Sequence, residues 1–588
     1  MDRATRPDRT GRRSRRLVAV LVLAGALAIA GLPAAAHAEG AMTATAAATM
    51  ADASSPCRSV PVEADGPLRS ALAREAFGVD GTGVTVGVIS DSFDTAVGAA
   101  TDAAQDVALG ALPGPGNPCG YAQPVEVLVE GAPGGDDEGR AMAQLVHGIA
   151  PGARLLFASA DPDQSAAIEA LVAAGADVIV DDIWLPAEPV FQRGLVGDAV
   201  QAAVDAGVAY VAAAGNFTVV GDPAYASAGR PVGGWQTAAY RPMPCPAEVA
   251  AAASGPVDCL DVDPGPAETP YNAVTFAAES GAPLVLQWGE PFGAADATAF
   301  DLWAVDADDV AQPLVTPIPG TSMGFGALYN LTPDVVETRL VVSRRLDGGT
   351  PGTPPLRWSI ASNGSAPTIL ALEFDRNVGG DLVGGTMGGH PAYGAAIPVA
   401  AADWRTPDTV ERFSSIGPVT QLFGPQRRDG APAPALPEPV VVEGPAVTGV
   451  DGLRTTFFPA SSAEHRFFGT SAAAPTVAGV LALARALDPD ASVAGLRAAM
   501  TATAAPMTNR YPDTAPERVQ GAGRIDAYAL LSILAPPPAP DPRPAPEPDA
   551  APARLAESGA APVPLAPAVA VLLVGAGLAT LARRRGRA

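Results

Sequence analysis

The stretch GVTVGVISDSFD, Gly83–Asp94, is a run of small and β-branched residues that stops on acid. It lacks the strict apolar/polar alternation of a strand with one wet face, so it reads as a strand covered on both sides. Sheets of that kind gather their chemistry at the carboxyl ends of the strands, which is where Asp91 stands. The pattern recurs in ARLLFASA (Ala153–Ala160), GADVIVDDIW (Gly175–Trp184) and GVAYVAAAGN (Gly207–Asn216). Between these runs, DQSAAIEALVAAGA (Asp163–Ala176) and GLVGDAVQAAVDAG (Gly194–Gly207) carry apolar residues at helical spacing. The expected fold class is α/β, a doubly wound parallel sheet.

After Asn216 the pattern changes. AVTFAAESGAPLVLQW, AFDLWAVDAD, TRLVVSRR, LRWSIAS and TILALEFD are short alternating segments parted by Gly and Pro. They read as an inserted antiparallel β-sandwich. The α/β pattern returns at GAAIPVAAADW (Gly394–Trp404). One domain in two halves, residues 39–235 and 377–532, around an insert of residues 236–376 accounts for this order. Within the insert, Phe276, Leu286, Trp288, Leu302 and Trp303 have strand-like spacing and are expected to pack as a core; the alternative for them is contact with substrate or cell wall.

The two ends carry different signals. Residues 1–38 combine an arginine-rich start, an apolar run from Leu17 to Leu32 and the small-residue site Ala36-His37-Ala38, the pattern of a secretory signal. From residue 533 to 564 the chain is rich in Pro and Ala, an extended spacer. The apolar run Leu565–Ala582 follows, closed by Arg583, Arg584, Arg585 and Arg587. Eighteen apolar residues just suffice to cross a bilayer with the arginines inside, so a membrane or cell-surface anchor, or a sorting tail that is cut off, is expected of residues 565–588. The folded part would then be extracellular.

Signal removal takes away seven of 37 basic and two of 62 acidic residues, leaving 30 against 60. So acidic a chain excludes nucleic acid as a partner. Cys57, Cys119, Cys245 and Cys259 remain, an even number that points to two disulfides in a secreted chain. Three pairings are open; Cys57 with Cys119 and Cys245 with Cys259 is the favoured one.

Four short motifs follow one another: GVISDSFD with Asp91, EGRAMAQLVHGIAPGA with Glu138, VAAAGN with Asn216, and FFGTSAAAPTVAGVLAL with Ser471. In the last, a Gly-Thr turn delivers Ser471 to the first turn of a helix, whose free N–H groups and dipole favour an oxyanion. Together with ERFSSIGPV and GAGRIDA, these motifs resemble the subtilisin-like clan of serine peptidases over residues of about 70–235 and 380–532. The resemblance implies a secreted serine endopeptidase acting on protein or peptide substrates, with Ser471 as nucleophile, Asp91 as the supporting acid and Asn216 as the side-chain donor of the oxyanion hole. It also implies Asp182, Ile183 and Trp184 as lining of the substrate cleft. Calcium is common in such families, although no ligand set stands out here. The oligomeric state is not legible.

One member departs. Where subtilisins open this helix with His, this sequence has Glu138-Gly139, the substitution that marks sedolisins. The sedolisin helper Asp, four residues on, is Met142. The chain therefore resembles a hybrid with Asp91, Glu138 and Ser471 as triad. His147 lies nine residues beyond Glu138, so on one helix it points about 180° away. His390 and His465 are the remaining rivals for the base. Asp136 and Asp137 read as first-turn residues that stabilise the helix start. A hydrogen bond between the Asp91 and Glu138 carboxyls would lift the second titration of the pair and shift activity toward acid. Loss of the histidine also feeds a rival reading, an inactive surface scaffold that binds.

Overall fold

The computed structural model describes residues 57–535 apart from residues 295–296, 348–351 and 361–367. The expected signal segment and the C-terminal apolar run lie outside the described residues, as does the spacer beyond residue 535.

Seven strands form the central sheet: β1 (Thr85–Ser90), β2 (Glu126–Val129), β3 (Arg154–Ser159), β4 (Val178–Asp181), β5 (Ala209–Ala213), β6 (Ile397–Asp403) and β7 (Val447–Asp451). Their order is β2-β3-β1-β4-β5-β6-β7, and every neighbouring pair is parallel. The chain steps outward from β1 to β2, returns through β3, and then crosses to the other side of β1 as β4. The carboxyl end of β1 is thus the place where the winding reverses, the position at which such sheets open a crevice.

The continuous apolar runs are explained by two filled faces. Val86, Val88, Leu155, Phe157, Val178 and Val180 pack on one face with helices α1 (Glu138–Ile149) and α4 (Thr470–Leu487). The residues of opposite parity, Ile89, Leu156, Ala158, Ile179 and Tyr210, pack on the other with α2 (Gln164–Ala173) and α3 (Leu195–Asp205). Each large apolar side chain removed from water contributes about 1.5–3 kcal/mol, so neither face tolerates a polar residue except at the strand ends. Among the described residues α4 is the one helix apolar and long enough to cross a membrane, and here it is the buried central helix. Gly479 allows its close approach to α1, because a Cβ there would stand 2.8 Å from that of Ile149.

Strand β5 leads into the insert, and β6 resumes the parallel sheet. The insert is an antiparallel sheet of twelve strands. It runs from Gly234–Gln236 to Leu382–Val383, and these two strands pair with each other, Val383 opposite Trp235. Trp235, Trp288 and Trp358 stand on three neighbouring strands near one end of the strand order and share one core with Ile369, from the strand at the other end. The sheet therefore curls on itself, which gives the expected sandwich its two layers. Phe276, Leu286 and Leu302 join that core. Trp303 instead faces a separate cluster with Val249, Val305 and Val341, and its Nε1 donates to Ser343 Oγ at 2.8 Å.

Both favoured disulfides are present, Cys57–Cys119 and Cys245–Cys259. The first ties the start of the described chain to the segment before β2. The second closes a short loop at the edge of the insert.

Candidate active site

Asp91 follows the last residue of β1, and its carboxylate caps the start of α1. Oδ1 accepts from the backbone N–H of Glu138 at 2.9 Å, and Oδ2 from that of Asp136 at 2.7 Å. These are the unsatisfied donors of a helix N-terminus, where a negative charge is also favoured. Asp91 therefore fixes the main chain of Glu138. The hydrogen bond between the two carboxyl groups expected from the sequence is replaced by this contact.

Asp137 precedes the helix in the left-handed region, with φ of 56°. It is buried, accepts from Thr95 N at 2.7 Å and Ser92 Oγ at 2.9 Å, and pairs with Arg140 at 3.0 Å. Arg140, itself buried, also binds Asp106 and lies over the Phe457 ring, 3.6 Å from its centroid. Asp137 thus anchors the helix start, as its sequence position implied, while exposed Asp136 only lends its N–H. Gly139 has no room for a side chain, since a Cβ would fall 2.3 Å from Phe157. Met142 is fully buried in the core.

With its backbone held, Glu138 directs its carboxyl toward Ser471 and Asp182, both of which interact with it. Asp182 is the residue whose position parity explains. Val178 and Val180 face α1 and α4, so the next residue of that parity, Asp182, emerges on the same side. There it meets Glu138 and the Ser90 hydroxyl, while its Oδ1 is buried without a hydrogen-bond partner. Burial pushes Glu138 up to about 7, and the charge of Asp91 adds to the effect. Asp182 is lifted well above the usual carboxylate range by burial first and then by Glu138 and Asp91. Among the described residues no ion pair reaches either carboxyl, so burial and the neighbouring negative charges both favour the protonated form. An acid-shifted optimum does not follow from a base of this kind; its basic form appears only as the pH approaches 7.

Ser471 is the second residue of α4 and only 9% exposed. Gly469, before the helix, has φ of 114°, a conformation L side chains rarely adopt, and a Cβ there would crowd Asn216 Nδ2 at 3.1 Å. Asn216 Oδ1 accepts from Thr470 N at 2.9 Å and Thr470 Oγ1 at 3.0 Å. A backbone N–H can only donate, so this contact fixes the amide with its oxygen toward Thr470 and leaves Nδ2 as donor. Asn216 Nδ2 and the Ser471 N–H, which has no carbonyl partner at that helical position, are suited to hold an oxyanion.

Of the three residues expected to line the cleft, Asp182 faces Glu138, and Ile183 packs with the core on the opposite face of the sheet. Trp184 borders the crevice, its ring 4.7 Å from that of Phe217, the neighbour of Asn216. The sequence reading missed the contact between Asp182 and Glu138. The parity of VIVDD contained it.

The histidines stand apart from this group. His147 is buried and packs edge-on against Tyr121, and burial, then the nearby Arg58, pushes it well below its ordinary value. His390 lies between Glu188 (Nδ1 to Oε2, 2.8 Å) and Asp181 (Nε2 to Oδ1, 3.0 Å). Burial opposes its charge, yet the two carboxylates carry it up to about 10. It is a fixed imidazolium. His465 sits in a turn with φ of 47°, its Nδ1 3.2 Å from the Pro459 carbonyl oxygen. For the calcium implied by resemblance, no group of three or more His, Cys, Asp or Glu side chains arranged to hold a metal ion occurs among the described residues.

The sequence profile described as "Subtilase family" (Peptidase_S8) matches residues 131–523. No curated protein matches the chain. Among solved structures, it is similar to the Clostridium perfringens CspB protease, at 12% identity and a TM-score of 0.46 over 80% of this chain and 99% of that one. It is also similar to MycP1 from Mycobacterium smegmatis, at 15% identity and a TM-score of 0.31 over 82% and 88%.

Proposed function

Because the chain belongs to the subtilase family of serine proteases, we propose that it is an endopeptidase whose general base is a glutamate, Glu138. The observation that carries this reading is the interaction of the Glu138 carboxyl with the Ser471 side chain, with no histidine beside either among the described residues. Ser471 Oγ attacks the substrate carbonyl carbon and passes its proton to the Glu138 carboxylate. The resulting oxyanion is held by Asn216 Nδ2 and the Ser471 N–H. Collapse of the tetrahedral intermediate breaks the C–N bond, and Glu138 returns the proton to the departing amine. Water then repeats the sequence on the acyl-enzyme.

Asp91 positions the base through its backbone. Asp182 acts on it directly: in its protonated form it donates to Glu138 and holds that carboxyl toward the serine. A group that titrates near 7 is well matched to general-base work at neutrality. This is the sense in which the site combines a subtilisin-type aspartate and asparagine with a sedolisin-type glutamate. The natural setting is outside the cell, reached through the signal at residues 1–38, with residues 565–582 as anchor; the two disulfides support an oxidising compartment.

Fluorophosphonate labelling tests the proposal. The wild-type protein is expected to label at pH 7–8, and the Ser471→Ala and Glu138→Gln variants are not. Labelling unchanged in Glu138→Gln would remove the glutamate from the mechanism, and no labelling of wild type from pH 3 to 8 would favour the binding scaffold.

A further inference from the structure

The segment after β4 borders an open pocket with walls from two parts of the chain. One wall is the segment after β4, Trp184 to Glu188. The other is the outer face of the insert, where Gln287 lies opposite Arg357 and Val285 opposite Ser359 on neighbouring strands. The residues between them, Leu286 and Trp358, point into the insert's own core. The walls are stitched together by Gln287, which accepts from Val190 N at 2.6 Å and donates to the Glu188 carbonyl at 3.0 Å. Trp184 stands two residues after Asp182 and against Phe217, the neighbour of Asn216, so one wall of the pocket adjoins the segments that carry the candidate site.

Arg357 is the unusual member. It is 5% exposed. One of its terminal nitrogens, Nη2, donates to the carbonyls of Gly385 at 2.9 Å and Met387 at 2.7 Å, whereas Nη1 is buried with no acceptor. No salt bridge to it occurs among the described residues, and burial alone accounts for the lowering of its pKa to about 10. A buried guanidinium without a counter-ion is costly and gains most from an anion that brings two oxygens. Glu188 also lines the pocket; its Oε2 is engaged by His390 at 2.8 Å, and its Oε1 is buried without a hydrogen-bond partner.

We propose that Arg357, supplied by the inserted sheet, selects substrates with an Asp or Glu side chain next to the scissile bond. The carboxylate enters the pocket and takes the free donor of Arg357, while the Trp184 ring covers its methylene groups. This deepens the peptidase reading and rests on it for the word substrate. The insert thereby forms the selective wall of the cleft.

Two measurements test it together. Cleavage-site profiling on a mixed peptide digest is expected to show Asp and Glu enriched at one position flanking the bond, with kcat/KM for a Glu peptide at least tenfold above its Gln counterpart. In Arg357→Met that ratio falls to about one; Arg357→Lys retains part of it. Binding of the same uncleaved Glu and Gln peptides to the Ser471→Ala protein, with and without Arg357→Met, reads the pocket even if Ser471 is inert. A Glu preference in binding, abolished by Arg357→Met, supports the proposal. Equal binding of both peptides, a Gln preference, or a Glu preference that survives in Arg357→Met overturns it. A loss of folding in Arg357→Met, seen by circular dichroism, leaves Arg357→Lys as the deciding variant: an unchanged Glu-to-Gln ratio there overturns the proposal.

Discussion

Asp181 and Asp182 are neighbours in sequence and open two different acid clusters on opposite faces of the sheet. On the far face Asp181 shares His390 with Glu188, and the imidazolium offsets one of their two negative charges. On the near face Asp182 meets Glu138 with Asp91 close by, and among the described residues no ion pair reaches the group. The far residues are buried and the near ones half-buried, but the decisive difference is the counter-charge. Where a cation is supplied, the acids become a fixed strut whose protonation does not change near neutrality. Where it is withheld, they must keep a proton, and a proton held with a pKa near 7 is one that can be moved.

The largest expected effect is on the near cluster. Glu138→Gln should lower kcat/KM by about 10³- to 10⁴-fold, as loss of a base acting directly on the nucleophile does. The residual activity should lose the rise through pH 7 that wild type shows. A variant that keeps the limb near 7 would place the base elsewhere.

Next in size is the far cluster. His390→Gln leaves Asp181 and Glu188 buried without their cation and should destabilise the fold by about 3–5 kcal/mol in chemical denaturation. The folded-state pKa is raised above the unfolded value, so this contribution is complete below about 6.5 and is lost as the pH climbs toward about 10. A deficit that grew with pH would contradict the strut.

The near cluster carries the opposite cost. Glu138 is lifted from about 4.5 to about 7 in the fold, so its ionisation works against stability, most fully above pH 7. Glu138→Gln should therefore raise stability by about 2–3 kcal/mol at pH 8, with the gain vanishing below about pH 4.5. Equal stability of the two proteins at pH 8 would mean that the carboxyl is better solvated than its surroundings imply.

Smallest is Asp182→Asn. The amide keeps a donor toward Glu138, so activity should fall only about tenfold, but it has no proton to lose. Any decline of kcat/KM that follows the ionisation of Asp182 should disappear. Persistence of that decline would assign it to another group.

The parallel sheet was readable from the sequence because burial on both faces writes itself into each strand as an uninterrupted apolar run; Val86 to Ile89 and Val178 to Val180 are examples. Asn216, Glu138 and Ser471 were readable because each sits in a short local pattern. The role of Asp91 was harder, since a carboxylate near a helix start serves equally as a cap or as an acid partner, and only the positions of the N–H groups distinguish them. Asp182 needed the strand parity to be followed one residue past the end of β4. Arg357 was out of reach: it meets Trp184 and Glu188 only because a strand from deep within the insert returns to the cleft, a contact that no local pattern encodes. Trp303 looked like a core residue of the insert and is one, but of a second layer set by an alternation that its neighbour Leu302 does not share.

The pairing of the insert's first and last strands has a consequence for how such a protein can change. Because Trp235 and Val383 lie side by side, the catalytic half sees the whole insert as a cassette with both ends at one doorway. Closure entropy grows only slowly with the length of what hangs there, so the cassette can lengthen, shorten or be exchanged at little thermodynamic penalty to the parallel sheet. Its strands nonetheless reach back to furnish one side of the cleft. A lineage could thus revise its diet by replacing a module, while the machinery that breaks the bond is inherited untouched.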